Sequence, residues 1–207
     1  MTRRVAAVLA AVALLAAACS SGAAAPQPSE LNDKPTGGVY QGFGLIPPQP
    51  RPSFTLTDTS GTGYAFGRAT AGKPTLLYFG YTHCPDVCPT TMADIGQALR
   101  TLPTDIQRRT QVVFVTTDVK RDTGPVMAAW LAHFDTDLPN RFVGLTGTQA
   151  QIDAAQAAAH VQLAEDEGQQ HSAQVLLYGS DDYARVQYLQ STNEADQIVH
   201  DLPLVAK

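Results

Sequence analysis

The chain has 207 residues, 44% of them hydrophobic, and carries fourteen Lys and Arg against nineteen Asp and Glu, a formal net charge of −5. This acidic balance argues against nucleic-acid binding, which requires a basic surface. The length and hydrophobic content are sufficient for one globular domain with a sizeable core.

Residues 1–19 have the layout of a secretory signal peptide: Arg3 and Arg4 precede an apolar run from Val5 to Ala18, and Cys19 follows. The run is shorter than the roughly 20 residues that a membrane-spanning helix needs. Small residues before Cys19 resemble a bacterial lipoprotein cleavage site, which predicts a lipidated Cys19. Cleavage after an Ala-x-Ala site, without lipid, is the alternative. Two acyl chains would hold the protein extracytoplasmically, at the outer face of the bacterial cytoplasmic membrane.

Residues 20–52 are predicted to form a linker. They are rich in Ala, Gly, Ser and Pro and contain seven of the fourteen prolines in the chain. Such a composition cannot bury enough apolar surface to form a core. Residues 53–207 are therefore predicted to be the folded domain.

The first half of the domain predicts a hairpin followed by two buried strands. Apolar and polar residues alternate over residues 54–66, with turn residues at Ser60–Gly63. The runs Thr75–Phe79 and Val112–Thr116 are apolar without alternation, which is typical of strands covered on both faces of a parallel sheet. An amphipathic helical pattern follows each of these two runs.

The second half predicts a shorter strand at residues 142–145, a helix capped by Thr146 or Thr148, an antiparallel hairpin over residues 174–189, and a helix near residues 194–202. The order of elements, with a thiol pair after the first buried strand, is that of an α/β thioredoxin-like sandwich with an added N-terminal β-hairpin.

Cys84 and Cys88 are the only thiols of the predicted domain. Each precedes a proline, and we predict that Cys88 is the N-cap of a helix that begins at Pro89. The positive end of this helix favours thiolate, so both sulfurs should be nucleophilic and able to bind metal. An ordinary disulfide of an exported protein is the alternative, although so short a loop would contribute only about 2 kcal/mol.

Two thiolates suit Cu(I), and less selectively Zn(II), and an imidazole would complete a trigonal copper site. His171 follows a polar loop and precedes the predicted strand at residues 174–178, so it is either this ligand or simply an exposed loop residue. His83 is predicted to lie beside the ligands or to face a partner, because neighbouring side chains on extended backbone diverge. The remaining histidines are predicted to lie on helix surfaces: His133, His160 and His200.

Three segments together resemble the Sco/SenC family: Phe79–Pro89, Asp118–Thr123 and His171–Ser172. The resemblance covers the chain from about Phe54 to its C-terminus, and the first segment is far more specific than an isolated Cys-x3-Cys pattern. It implies a thioredoxin-like fold.

The same resemblance implies that Cys84, Cys88 and His171 bind Cu(I), with Cu(II) as an alternative. The implied role is a metallochaperone for the binuclear copper centre in a subunit of a haem-copper (cytochrome c) oxidase. The alternative is an extracytoplasmic thiol-disulfide oxidoreductase that reduces the cysteines of that centre, with Cys84 and Cys88 as its redox pair. Dedicated oxidoreductases more often have Cys-x2-Cys and a cis-proline loop, and Ser172–Gln174 contain no proline, which favours the chaperone.

The chain departs from the family pattern at two positions. Gln170 stands where the family usually has an Asp before the ligand His, so a carboxylate that would orient the imidazole is missing there. Val119 replaces a proline, which concerns only the geometry of the loop.

Overall fold

The computed structural model describes residues 38–163 and 172–207. The predicted signal peptide with Cys19, the first part of the predicted linker, and Gln170 and His171 lie outside these residues. Within the described part, no helix is long and apolar enough to cross a membrane.

Eight strands form one mixed sheet: β1 (Phe43–Pro50), β2 (Thr55–Asp58), β3 (Gly63–Ala65), β4 (Thr75–Gly80), β5 (Gln111–Thr116), β6 (Val143–Thr146), β7 (Val175–Tyr178) and β8 (Tyr183–Tyr188). Their spatial order is β1-β8-β7-β4-β5-β6-β2-β3. The central strands β4, β5 and β6 are parallel to one another, and every other pairing is antiparallel. The predicted N-terminal hairpin is confirmed as β2 and β3.

The described part of the chain contains six helices: α1 (Phe66–Ala69), α2 (Val87–Thr101), α3 (Thr104–Arg109), α4 (Gly124–Asp135), α5 (Gln149–Ala158) and α6 (Glu194–Val205). The predicted cap at Thr148 is confirmed, because its hydroxyl accepts the Gln151 N–H and the Gln151 side chain accepts the Thr148 N–H in return. The short helices α1 and α3 carry too few residues to produce a visible apolar stripe, and the sequence did not predict them.

Two hydrophobic cores lie on opposite faces of the sheet, and β4 contributes to both. Leu76 and Tyr78 join a core with residues of α2, α4 and α6, whereas Leu77 and Phe79 join a core with residues of α5. All six residues of β4 are buried, as expected for a strand covered on both faces. The predicted α/β sandwich is therefore confirmed.

The predicted linker extends too far along the chain. Residues 43–50 form β1, which pairs antiparallel with β8, and Asp201 of α6 accepts the backbone N–H groups of Gln41 and Gly42, both at 2.8 Å. A proline-rich strand is tolerated here because β1 lies at the edge of the sheet, where a missing N–H need not break a ladder. The correction places the start of the folded part near residue 40 instead of residue 53.

Candidate metal centre

Cys84 lies in the connection between β4 and α2, and Cys88 lies in the first turn of α2. We call residues 81–86, between the end of β4 at Gly80 and the start of α2 at Val87, the thiol turn. The Cys84 N–H donates to the Tyr81 carbonyl at 3.3 Å, which closes the first part of this turn.

The prediction that Cys88 is the N-cap of α2 is wrong. Asp86 is the N-cap, and Cys88 already lies in the first helical turn, followed by Pro89. The helix accepts Pro89 because N–H groups in its first turn have no intrahelical partner, so a residue without N–H costs no hydrogen bond there. One of these first-turn N–H groups, that of Cys88, donates to the Cys84 sulfur at 3.4 Å.

The two thiols have different surroundings. Cys84 is half-buried, whereas Cys88 is fully buried beneath it. The Tyr78 hydroxyl donates to the Cys88 sulfur at 3.3 Å, so the inner sulfur is held against β4. One sulfur of the pair is thus reachable from solvent and the other is enclosed.

These surroundings shift the pKa values of the two thiols in opposite directions. Burial opposes ionisation of Cys84, but hydrogen bonds from the Cys88 and Asp86 N–H groups and from the Cys88 and Tyr81 side chains outweigh it and lower the pKa of Cys84. Burial raises the pKa of Cys88 to about 12, although the Tyr78 hydroxyl favours its thiolate. Cys84 is therefore the first thiol to ionise and the nucleophile of the pair.

Gly80 allows the buried sulfur to approach the end of β4. A Cβ atom at this position would lie 3.0 Å from the Cys88 sulfur and 3.1 Å from the Phe114 ring. Both distances are shorter than ordinary van der Waals contact. A larger residue at position 80 would therefore push Cys88 away from its place.

A buried carboxylate supports the other side of the thiol turn. Asp122 is fully buried and accepts the Thr82 N–H at 2.9 Å, the Thr82 hydroxyl at 2.6 Å and the Thr116 hydroxyl at 2.7 Å. The sequence places Asp122 within a family motif but gives it no role. A motif of neighbouring residues does not show which distant residues, such as Thr82, will contact Asp122 in the folded protein.

His83 projects from the thiol turn as predicted, with 46% of its side chain exposed. Its Nδ1 lies 3.0 Å from Thr82 Oγ1 and 3.3 Å from Asp122 Oδ1. The Thr82 hydroxyl donates its proton to Asp122, so its oxygen can only accept a hydrogen bond from His83. In the neutral imidazole, this hydrogen bond requires that Nδ1 carries the proton.

The described residues bring together two of the three predicted metal ligands. Cys84 of the thiol turn meets Cys88 of α2, and His171 lies outside the described residues. No cluster of three or more His, Cys, Asp and Glu that could hold a metal ion occurs in residues 38–163 and 172–207. A pair of sulfurs with a half-open outer face fits a soft ion such as Cu(I).

The other histidines do not join this pair. His200 Nδ1 lies 2.7 Å from Asp201, near the anchor of β1, and His160 is an exposed residue with a φ of 55° just after α5. His133 is an exposed residue in the last turn of α4. The predicted helix-surface positions are thus confirmed for His133 and His200, while His160 lies beyond the end of its helix.

Comparison with protein families gives one match over most of the chain. Residues 47–207 match the model of the SCO1/SenC family. Protein SenC of Rhodobacter capsulatus is 41% identical over 105 residues, which is 49% of this chain and 43% of that protein. Across relatives of this kind the chain spans about half of their length or less, from 37% to 55% in three of them.

Solved structures agree with the family match. The solution structure of apo Sco1 from Thermus thermophilus has a TM-score of 0.69 and 28% identity, covering 83% of this chain and 99% of that one. The structure of ScoI from Bradyrhizobium japonicum with copper bound has a TM-score of 0.62 and 30% identity, covering 75% and 99%. These likenesses confirm the thioredoxin-like fold class.

Proposed function

Since this chain belongs to the SCO1/SenC family, we propose that it binds Cu(I) and delivers it to the binuclear copper centre in a subunit of a haem-copper oxidase. The observation that carries the proposal is the meeting of the Cys84 and Cys88 sulfurs at the start of α2, where the Cys88 N–H donates to the Cys84 sulfur. A similar ScoI protein with copper bound supports copper as the ion. The oxidase as recipient follows from the family resemblance.

The unequal thiols suit a protein that must both hold copper and release it. Cys88 is enclosed by Tyr78 and the end of β4, so its bond to copper is shielded from competing ligands. Cys84 is half-open, so a thiolate of the recipient can reach copper from its side. In this proposal copper leaves by ligand exchange, with Cys84 replaced first and Cys88 last and with no change of oxidation state.

His171 is proposed as the third ligand. Strand β7 is antiparallel to β4, and its first residue, Val175, pairs with Tyr78 near the end of β4. The described chain therefore resumes, at Ser172, towards the end of the sheet that carries the thiol turn. Because Gln170 offers no carboxylate, the imidazole would lack an orienting partner at that position, and we expect weaker copper binding than an Asp there would give.

A lipidated Cys19 is proposed as the anchor that keeps the protein at the outer face of the membrane. Mass spectrometry of the mature protein tests this point directly. A diacylated N-terminal Cys19 supports the anchor, and an unmodified N-terminus elsewhere in the chain contradicts it.

The copper site is tested by anaerobic titration of the reduced protein with Cu(I) in the presence of a competing chelator. We expect one tightly bound Cu(I) per chain, and loss of that binding in Cys84→Ser and Cys88→Ser. His171→Ala should weaken binding, whereas His133→Ala is a matched control that should not. Full affinity in all three ligand variants would rule out this site.

The unequal thiols also favour a second candidate function, thiol-disulfide exchange. A half-open nucleophile with a lowered pKa beside a buried resolving thiol can reduce a disulfide in a partner. Cys84 would attack the partner's disulfide and form a mixed disulfide. Cys88 would then attack Cys84, releasing the partner as a dithiol and leaving a Cys84–Cys88 disulfide.

The two candidates are separated with the apo copper domain of an oxidase subunit. If its cysteines are already reduced, the copper chaperone should transfer Cu(I) to it. If no copper moves and the reduced protein instead converts the oxidised domain to its dithiol form, the reductase function is correct.

A further inference from the structure

We propose that Asp122 is a positioning residue of the thiol turn, which fixes the direction of Cys84 and so sets how tightly the thiol pair holds its ligand. The proposal rests on the proposed function for its copper readout, and it deepens that function by naming a residue outside the ligand set that controls the site.

The hydrogen bonds at Asp122 have only one possible direction. A buried carboxylate accepts and cannot donate, so the hydroxyls of Thr82 and Thr116 must both give their protons to it. The Thr116 oxygen in turn accepts the Asp118 N–H at 3.0 Å. The end of β5, the loop after it and the thiol turn are thus joined through one charged group.

This group restrains the thiol turn at Thr82, and α2 restrains it at Cys84. Thr82 is held through both its N–H and its hydroxyl, and two residues later the Cys84 sulfur accepts the Cys88 N–H from the helix. Cys84 therefore lies between two fixed points. Loosening the Thr82 side should let the Cys84 sulfur move away from Cys88.

The informative variant is Asp122→Asn, which keeps the shape of the side chain and replaces one acceptor oxygen with a donor NH₂. Either the Thr82 N–H then faces the new NH₂ donor, or the Thr82 hydroxyl must turn and accept from that NH₂. We expect Cu(I) affinity, measured on folded protein by chelator competition, to fall by about 10-fold to 100-fold. We also expect the disulfide between Cys84 and Cys88 to form about tenfold less favourably in a glutathione buffer, because the effective concentration of one thiol at the other falls.

Asp201→Asn is the matched control. Asp201 is equally buried and accepts the same kinds of donors: two backbone N–H groups, the Tyr188 hydroxyl and the Nδ1 of the preceding histidine. It anchors β1 and not the thiol turn. We expect this variant to lose stability in urea unfolding while both readouts stay within about twofold of the wild type.

A second pair of variants keeps the test decisive if Asp122→Asn does not fold. Thr82→Val removes one donor to Asp122 and should move both readouts in the same direction by a smaller factor. Thr82→Ser keeps the hydroxyl and should restore values close to the wild type.

Each outcome decides the proposal. If Asp122→Asn loses stability as Asp201→Asn does but changes neither readout, Asp122 has only a structural role. If the wild type binds no Cu(I), the proposed copper function fails, and the disulfide equilibrium alone then decides whether Asp122 positions the thiols.

Discussion

A buried charged side chain lies near each end of β4, but the two side chains have different roles. Near its start, Arg51 is 3% exposed and donates to Asp182 at 2.8 Å, to Thr70 at 3.0 Å and to two backbone carbonyls. Its guanidinium also lies 4.9 Å from the centre of the Tyr178 ring. At the other end, Asp122 accepts hydrogen bonds from a turn whose outer atoms, the Cys84 sulfur and the His83 ring, stay accessible.

The cluster around Arg51 stabilises the fold, whereas the cluster around Asp122 positions residues that can bind a ligand. Around Arg51 the hydrogen bonds join only protein groups to each other, and the cluster ties β1, β7 and the chain before β4 together. Around Asp122 the bonds fix a short turn in which Cys84 and His83 stay partly exposed to solvent. A charge at the first end should therefore matter for stability, and a charge at the second end for what the protein binds.

The largest effect is expected from Arg51→Ala, which leaves several acceptors without their donor. We expect the free energy of unfolding to fall by about 3 kcal/mol in urea titrations, with unchanged Cu(I) affinity of the folded fraction. Arg185→Ala is the control, because its exposed ion pair with Asp181 should be worth less than about 1 kcal/mol. Weaker copper binding by folded Arg51→Ala would contradict the conclusion that Arg51 affects stability and not ligand binding.

At the open end, Cys84 should react with iodoacetamide at least about a hundredfold faster than Cys88 at pH 8, because reactivity follows thiolate content and access. The rate for Cys84 should reach half of its maximum below pH 9, whereas Cys88 should not ionise until near pH 12. Tandem mass spectrometry of the peptide that contains both cysteines measures each site. In urea the two rates should become similar, and a large remaining difference would show that the fold is not its cause.

Glu194 is a third buried side chain that can ionise. Neither of its carboxylate oxygens has a hydrogen-bond partner among the described residues, and burial, with the Asp94 carboxylate nearby, raises its pKa to about 7. Between its ordinary pKa of 4.5 and about 7, the folded protein holds a proton that the unfolded chain has released. Stability from this group should therefore fall by about 3 kcal/mol at most as pH rises through that window.

Glu194→Gln should remove this part of the pH dependence, because the amide does not ionise. Urea unfolding of both proteins at pH 4, 5, 6, 7 and 8 provides the measurement. Parallel stability curves for wild type and variant would mean that Glu194 is ionised in the folded protein.

The smallest effect is expected from Gly80→Ala, which places a methyl group 3.0 Å from the Cys88 sulfur. We expect about a tenfold loss of Cu(I) affinity and about 1 kcal/mol of stability. Gly44→Ala on β1 is the matched control, since its Cβ would meet no atom within 4 Å. Equal behaviour of the two variants would show that the contact between Gly80 and Cys88 is not important for copper binding.

Local patterns in the sequence were enough to predict the central strands, both hairpins and the thiol pair. The uninterrupted apolar runs of β4 and β5 and the alternation in β2 are short-range signals. In contrast, β1 pairs with a strand about 140 residues away, Phe43 with Gln187, and its prolines have the composition of a linker. The N-cap of α2 was predicted at the wrong residue, because a proline disfavours helical backbone at the residue that precedes it. In the structure, the tolerance of the first helical turn for proline is the stronger effect.

The roles of Arg51 and Asp122 could not be predicted, because a buried charge becomes interpretable only when its partners are known. Arg51 lies in a stretch with many prolines, and its acceptors come from segments about 20 and 130 residues further along the chain. Asp122 was visible as part of a motif, yet the sequence does not show that Thr82 and Thr116 face it. Whether His171 joins the thiols stays a prediction.

The proline-rich strand β1 also affects how copies of this protein meet one another. It forms one outer edge of the sheet, and Pro47, Pro48 and Pro50 have no N–H to offer an incoming extended chain. An edge with so few donors cannot template continuous strand addition. Without β1, the edge of β8 would be open, so the same segment that completes the fold should also keep neighbouring molecules from growing into fibrils.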